Sequence, residues 1–256
     1  MHCRWDNASL DKRRIFLVMG KEKICVALDV DSFEEALDLT RRLSPWVGVF
    51  KIGSQLFTSE GSGIVKAVIE EGAEVFLDLK YHDIPNTVLN AARVALKLGV
   101  KMFNVHCLGG ARMMRMLVDA LGREAEITGK PMPLLLGVTV LTSLSNEELE
   151  SELRVSLPLE EYVVHLAKLA QDAGMDGVVC SPHELVPIRR ACGPNFTLVT
   201  PGIRPDWASG RDDQRRFTSP QAAFRAGADY IVVGRPITAA NGPEDAAQRL
   251  LLELSS

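Results

Sequence analysis

Short apolar runs alternate along the chain with longer stretches whose apolar residues recur at helical spacing. The first run, Ile24 to Asp29, reads as a strand ending in an acid. Ser32 follows, with Glu35 three residues on, the pattern of a reciprocal capping box for a helix to about Leu43. Val47 to Gly53 is a second strand with Lys51 near its end, and Ser62 to Glu71 is a helix stopped by Gly72. Glu74 to Lys80 is a third strand. Pro85 stands where a helix can begin, and Val88, Ala91, Ala92, Ala95 and Leu98 mark its inner face as far as Gly99. Val100 to His106 and Leu134 to Val140 are strands four and five, with a Met-rich helix between them from Gly110 to about Leu121. Helices are expected near 146–153 and 159–173. Gly177 to Cys180, Phe196 to Thr200 and Tyr230 to Val233 complete eight strands, with helices near 183–190, 220–226 and 244–254.

Several of these strands are continuous apolar runs, as expected where both faces are covered. Eight strand–helix repeats in this length predict parallel α/β architecture closed into a (β/α)8 TIM barrel as a single domain, with a doubly wound sheet as the alternative. The barrel domain is assigned to residues 19–256. Residues 1–18 are polar and basic except for a short apolar run at their end, and we expect them to lie outside the fold, with Met19 a candidate start.

Composition narrows the function classes. The chain has 256 residues, 46% hydrophobic and 24% charged, with a net charge of −4, which argues against bulk binding of nucleic acid or an anionic membrane. The five cysteines, Cys3, Cys25, Cys107, Cys180 and Cys192, are scattered and show no metal-ligand spacing, so free thiols in a reducing cytoplasm are expected rather than disulfides or structural zinc. No apolar run is long enough to span a bilayer. Gly61-Ser62-Gly63 lacks the third glycine of a dinucleotide loop, and there is no Walker loop.

In such a barrel the strand C-termini gather at one face, where active sites sit. The polar residues at these ends are Asp29, Lys51, Asp78, Lys80, His106, Thr142, Arg204 and Arg235. Strand alternation points Asp78 and Lys80 the same way, Leu77 and Leu79 the other. Asp78 and Lys80 by themselves fit either a rim ion pair or a site for proton chemistry. His106 reads as a satisfied barrel histidine and is left out of the site. After strand eight, Gly234 and Arg235 have the character of a phosphate grip, with Arg204 and Gln214 in the long polar loop 201–218 that could close over it.

Taken together, Asp78-Leu79-Lys80-Tyr81-His82-Asp83-Ile84-Pro85-Asn86-Thr87, Phe50-Lys51-Ile52-Gly53, Leu141-Thr142-Ser143, Pro201-Gly202-Ile203-Arg204-Pro205, Asp212-Asp213-Gln214-Arg215-Arg216 and Val233-Gly234-Arg235-Pro236 closely resemble the signature of the orotidine 5′-phosphate decarboxylase family. The resemblance covers nearly all of the chain after Lys23, with residues 1–18 and 206–211 idiosyncratic. It implies decarboxylation of orotidine 5′-phosphate to UMP with no metal or cofactor. It also implies a homodimer in which Asp83, Ile84 and Thr87 reach the neighbouring subunit's site. Under it, Lys80 is the proton donor to C6, Asp78 lies beside the substrate carboxylate, and Lys51 and the partner's Asp83 complete a network of alternating charge. Asp29 and Lys51 hold the ribose, Thr142 lies near the base, Gln214, Gly234 and Arg235 bind phosphate, and Arg204 is on the same lid side. Two alternatives remain. One is a magnesium-dependent 3-keto-L-gulonate 6-phosphate decarboxylase or hexulose-phosphate synthase, where an acidic residue is expected in place of Lys51. The other is a catalytically silent nucleotide-binding module.

Overall fold

The computed structural model describes residues 20–208 and 218–254. The strands are β1 (Ile24–Ala27), β2 (Val49–Gly53), β3 (Glu74–Tyr81), β4 (Met102–His106), β5 (Leu134–Val138), β6 (Gly177–Val179), β7 (Thr197–Thr200) and β8 (Tyr230–Val233). They form a closed barrel in sequence order, every pair parallel, with β1 joined to β8. The expected (β/α)8 barrel is therefore the observed fold, while the expectation for residues 1–18 lies outside the described residues.

Alternation around the barrel sorts the strand side chains into two layers. Cys25, Ala27, Val49, Phe76, Met102, Leu136, Val199 and Val232 fill the barrel interior. Their neighbours in sequence, among them Val26, Phe50, Ile52, Leu77, Phe103 and Leu135, join the larger core between strands and helices. Fully burying one such side chain stabilises the fold by roughly 1.5–3 kcal/mol. The interior positions nearest the C-terminal mouth are polar instead: Lys51 follows Val49 by two residues on β2, and Asp78 follows Phe76 by two on β3, with Lys51 in register with Phe76 and Asp78 with Gly53.

The helices are α1 (Phe33–Leu43), α2 (Ser54–Glu60), α3 (Ser62–Glu70), α4 (Pro85–Leu98), α5 (Gly110–Thr128), α6 (Asn146–Ser151), α7 (Leu159–Asp172), α8 (Leu185–Cys192), α9 (Pro220–Arg225), α10 (Arg235–Thr238) and α11 (Pro243–Leu254). None of them is long and apolar enough to cross a membrane. The capping box expected at α1 forms in one direction: Ser32 Oγ accepts from the Glu35 N–H at 3.3 Å. A complete box occurs instead at Ser145/Glu148, and at Ser181 the Glu184 carboxylate accepts from the Ser181 N–H at 2.8 Å. Helix α2 has no counterpart in the sequence pattern, because its apolar residues are only Leu56, which is buried, and Phe57, which packs against the core half-buried. Its polar face is tied down, with Gln55 Nε2 donating to Asp31 Oδ1 at 2.7 Å and Ser59 Oγ to Asp31 O at 2.8 Å.

Candidate active site

The ends of β1, β2 and β3 bring four ionisable groups into a line of alternating sign. Lys51 Nζ lies 3.0 Å from Asp29 Oδ1 and 3.6 Å from Asp78 Oδ2, and Lys80 Nζ lies 2.7 Å from Asp78 Oδ1. Burial alone would lower the Lys51 ammonium. Attraction from Asp78 and then Asp29, with the Asp29 hydrogen bond, outweighs it, so Lys51 stands above the ordinary lysine value and is charged. Room for this ammonium depends on Gly53, where an added Cβ would fall 2.9 Å from Lys51 Nζ. Beneath the line lies Cys25, fully buried, whose thiol is held well above its ordinary value chiefly by burial.

Lys80 does not sit on a regular strand. The β3–β4 pairing runs Phe76↔Met102 and Leu77↔Phe103, shifts, and resumes at Tyr81↔Val105. Within the irregular segment Lys80 adopts φ 50, a left-handed conformation that costs a side-chain-bearing residue about 1–3 kcal/mol. Simple alternation thus gives the right neighbours for a partly wrong reason: Asp78 and Lys80 do meet, but across a bulge. Asn104 of β4, fully buried, fills the gap. Its Nδ2 donates to Asp78 Oδ1 at 2.6 Å and its Oδ1 accepts from the Lys80 N–H at 2.8 Å. The pattern left it out, although it stands two residues before His106 on the inward side of a strand.

His106, also left out, is beside the site. Its ring stacks on His82 with centroids 5.1 Å apart, and its Nδ1 accepts from the Leu108 N–H at 3.4 Å. Burial, then the fields of His82 and Lys80, hold its imidazole below the ordinary histidine value.

The other expected residues are spread around the mouth. Asp83 is exposed and accepts from the Ile84 N–H at 2.6 Å. Ile84 precedes α4 and is 68% exposed, and Thr87 is exposed on the first turn. Thr142 lines a cleft of about 700 Å³ with Leu144, Pro158, Ser181, His183 and Glu184. Gly234 precedes α10, and Arg235 opens that short helix, exposed at the mouth. Gly234 is also next to β1, since a Cβ there would lie 3.9 Å from Asp29 Oδ2. Arg204 is buried in the loop after β7, its N–H bonded to Thr218 O at 3.1 Å. That bond and the Ile203↔Thr218 bridge pin the two stems of the loop together. Trp207 ties the first stem to α11, donating to Glu253 Oε2 at 3.0 Å beneath the Arg249 guanidinium. Gln214 lies outside the described residues.

Residues 22–250 match the model of the family described as orotidine 5′-phosphate decarboxylase / HUMPS. A protein of Syntrophomonas wolfei named orotidine 5′-phosphate decarboxylase is 50% identical over 238 residues, 93% of this chain and 99% of its own length. Another so named, from Syntrophotalea carbinolica, is 52% identical over 241 residues, 94% of this chain and 98% of its own. Among solved structures, orotidine 5′-phosphate decarboxylase from Lactobacillus acidophilus aligns with a TM-score of 0.78 at 38% identity, covering 91% of this chain and 99% of that one. A match of this extent, on a barrel that carries its motif residues at the strand ends, makes the chain a member of the orotidine 5′-phosphate decarboxylase / HUMPS family.

Proposed function

We propose that the protein decarboxylates orotidine 5′-phosphate to UMP without a metal or organic cofactor. The observation that carries this reading is Lys51, held between Asp29 and Asp78 at the end of β2. The magnesium-dependent sugar-phosphate members of the same family are expected to carry an acid there. An ammonium in that place favours a site that works by fixed charge alone.

The chemistry requires fixed charge. The bond from C6 to the carboxylate breaks with its electron pair left on C6, and CO2 departs. The ring delocalises this pair poorly, so preorganised charge must stabilise it. The Lys80 ammonium is the group for that task, first as a cation beside C6 and then as the donor of the proton that C6 takes. The resulting neutral amine is reprotonated from solvent. Asp78 faces the substrate carboxylate, a repulsion relieved as CO2 leaves. Asp29 and Lys51 hold the ribose, and Thr142 contacts the base. Gly234, Arg235, Gln214 and Arg204 take the phosphate, whose binding energy far from C6 is available to lower the barrier. The exposed Asp83, Ile84 and Thr87 support a homodimer in which they serve the partner's site. We assign the whole activity to one barrel domain, residues 19–256.

A spectrophotometric assay with orotidine 5′-phosphate, with and without EDTA, tests the proposal. UMP formation unaffected by chelation is expected. No UMP formation, with turnover of a 3-keto sugar phosphate that is lost to EDTA and restored by magnesium, would transfer the chain to the sugar-phosphate branch of its family, and UMP binding without turnover of either substrate would make it a silent nucleotide-binding module.

A further inference from the structure

We propose that Asn104 is a positioning residue for this reaction: its side-chain amide locks the Asp78 carboxylate and the Lys80 backbone into one unit, and so sets where the Lys80 ammonium stands. The inference rests on the reading of Lys80 as the proton donor.

The placement begins with the strand. In β4, Phe103 and Val105 pack outward into the strand–helix core, while Met102 packs into the barrel interior. Asn104 has the parity of Met102 and is fully buried. A buried primary amide is costly unless its donor and acceptor are satisfied. Both of its bonds go to β3, one to the Asp78 carboxylate at 2.6 Å and one from the Lys80 N–H at 2.8 Å.

Only one orientation of the amide fits. A carboxylate can only accept and a backbone N–H can only donate, so Nδ2 must face Asp78 and Oδ1 must face Lys80. The bond to Lys80 comes where the β3–β4 ladder is out of register and the backbone is left-handed at φ 50. Such a conformation persists only when its surroundings fix it. The bond to Asp78 ends on Oδ1, the same oxygen that receives Lys80 Nζ at 2.7 Å. One neutral group therefore fixes both ends of the Asp78–Lys80 pair and adds no charge to the line Asp29–Lys51–Asp78–Lys80.

The test uses Asn104→Ala and Asn104→Asp in the full-length protein, assayed for kcat with orotidine 5′-phosphate and for UMP affinity. In the alanine variant kcat is expected to fall about 100-fold, the scale of a misplacement near 1 Å, with UMP affinity within about threefold of wild type. In the aspartate variant the introduced carboxyl still accepts from the Lys80 N–H, but it donates to Asp78 only when protonated. Asp78 favours that protonated form, while Lys51 and Lys80 oppose it. The ratio of variant to wild-type kcat is therefore expected to rise as pH falls from 8 to 5; His82 and His106, beside the site, are present in both proteins and are divided out of it. A flat ratio overturns the proposal, as does an alanine variant that keeps kcat within about threefold or loses kcat and UMP affinity equally. If the alanine variant does not fold, the aspartate ratio decides. A wild-type protein that makes no UMP overturns the functional reading alone. Positioning is then read from a crystal structure of whichever variant folds: Lys80 returned to negative φ with its ammonium displaced supports it, and Lys80 unmoved overturns it.

Discussion

Replacing Asp78 with asparagine tests whether the line of alternating charge at the barrel mouth is held together by its central carboxylate. The Asp78 side chain is 12% exposed and separates two ammonium groups, Lys51 Nζ at 3.6 Å and Lys80 Nζ at 2.7 Å. Asparagine keeps one acceptor oxygen and loses the charge. With that oxygen turned to Lys80 and Asn104, the new amide nitrogen faces Lys51, donor against donor. Lys51, 11% exposed, then keeps only Asp29, which is itself 52% exposed. A unit pair near 4 Å is worth about 4 kcal/mol at an effective dielectric of about 20. The Lys80 contact adds little, about 1 kcal/mol or less, because that side chain is 38% exposed and solvent screens it. Removing one partner of a buried pair costs about 3–5 kcal/mol, and that is the loss of stability expected at pH 7. For a chain of this size it corresponds to a fall in Tm of about 6–20 °C. Urea and thermal unfolding measure it, with Asp29→Asn as the exposed control expected to cost about 1 kcal/mol or less. An Asp78→Asn protein within about 1 kcal/mol of wild type at unchanged m-value would show that solvent, not Asp78, neutralises Lys51 and Lys80.

Lys80→Ala is expected to reduce kcat by about 10⁴-fold or more, the combined scale of a lost proton donor and a lost charge stabiliser. Mixing Lys80→Ala with Asp83→Ala chains should restore activity through hybrid dimers, and no rescue with hybrids confirmed by mass spectrometry would refute a shared site. Glu184 supplies a pH prediction away from the reacting groups. It is 8% exposed, and burial, only partly opposed by the Ser181 N–H at 2.8 Å, raises its carboxyl from 4.5 to about 7. The folded state therefore binds this proton more tightly than the unfolded one, and stability is lost as pH rises from about 4.5 through about 7, by about 3 kcal/mol in all. Glu184→Gln keeps an acceptor for Ser181 without the titration, so its stability relative to wild type should grow between pH 5 and pH 8 in urea unfolding. A constant difference would refute the assignment.

The barrel was legible because both signals behind it are local. Apolar strand runs and capped amphipathic helices repeat eight times, and the polar residues at strand ends stand out against their neighbours. Lys51, Asp78 and Lys80 were found that way, and the structure brings all three together. What stayed hidden depends on relations between strands. The register shift beside Lys80 has no signature in Asp78-Leu79-Lys80-Tyr81. The partners of Asn104 lie 24 and 26 positions back along the chain and were visible only once β3 and β4 were paired. Gly53 looked like the end of a strand, and its lack of a side chain gains meaning only from the Lys51 ammonium folded against it. Helix α2 escaped because its anchor, Asp31, lies 24 positions back, in the loop between β1 and α1.

Closure of the barrel by β1 and β8 also bears on biosynthesis. The acids and lysines of the mouth are translated early, by Lys80, whereas the strand that seals β1 spans Tyr230–Val233. Until that strand leaves the ribosome, the outer edge of β1 is an unpaired template for intermolecular strand addition. A chain ending before Tyr230 would therefore lose more than Gly234 and Arg235, the residues proposed to take the phosphate. It would present two open strand edges, β1 and β7, with Lys51 and Asp78 in an unsealed interior, and aggregation rather than weak activity is the expected fate of such a truncation.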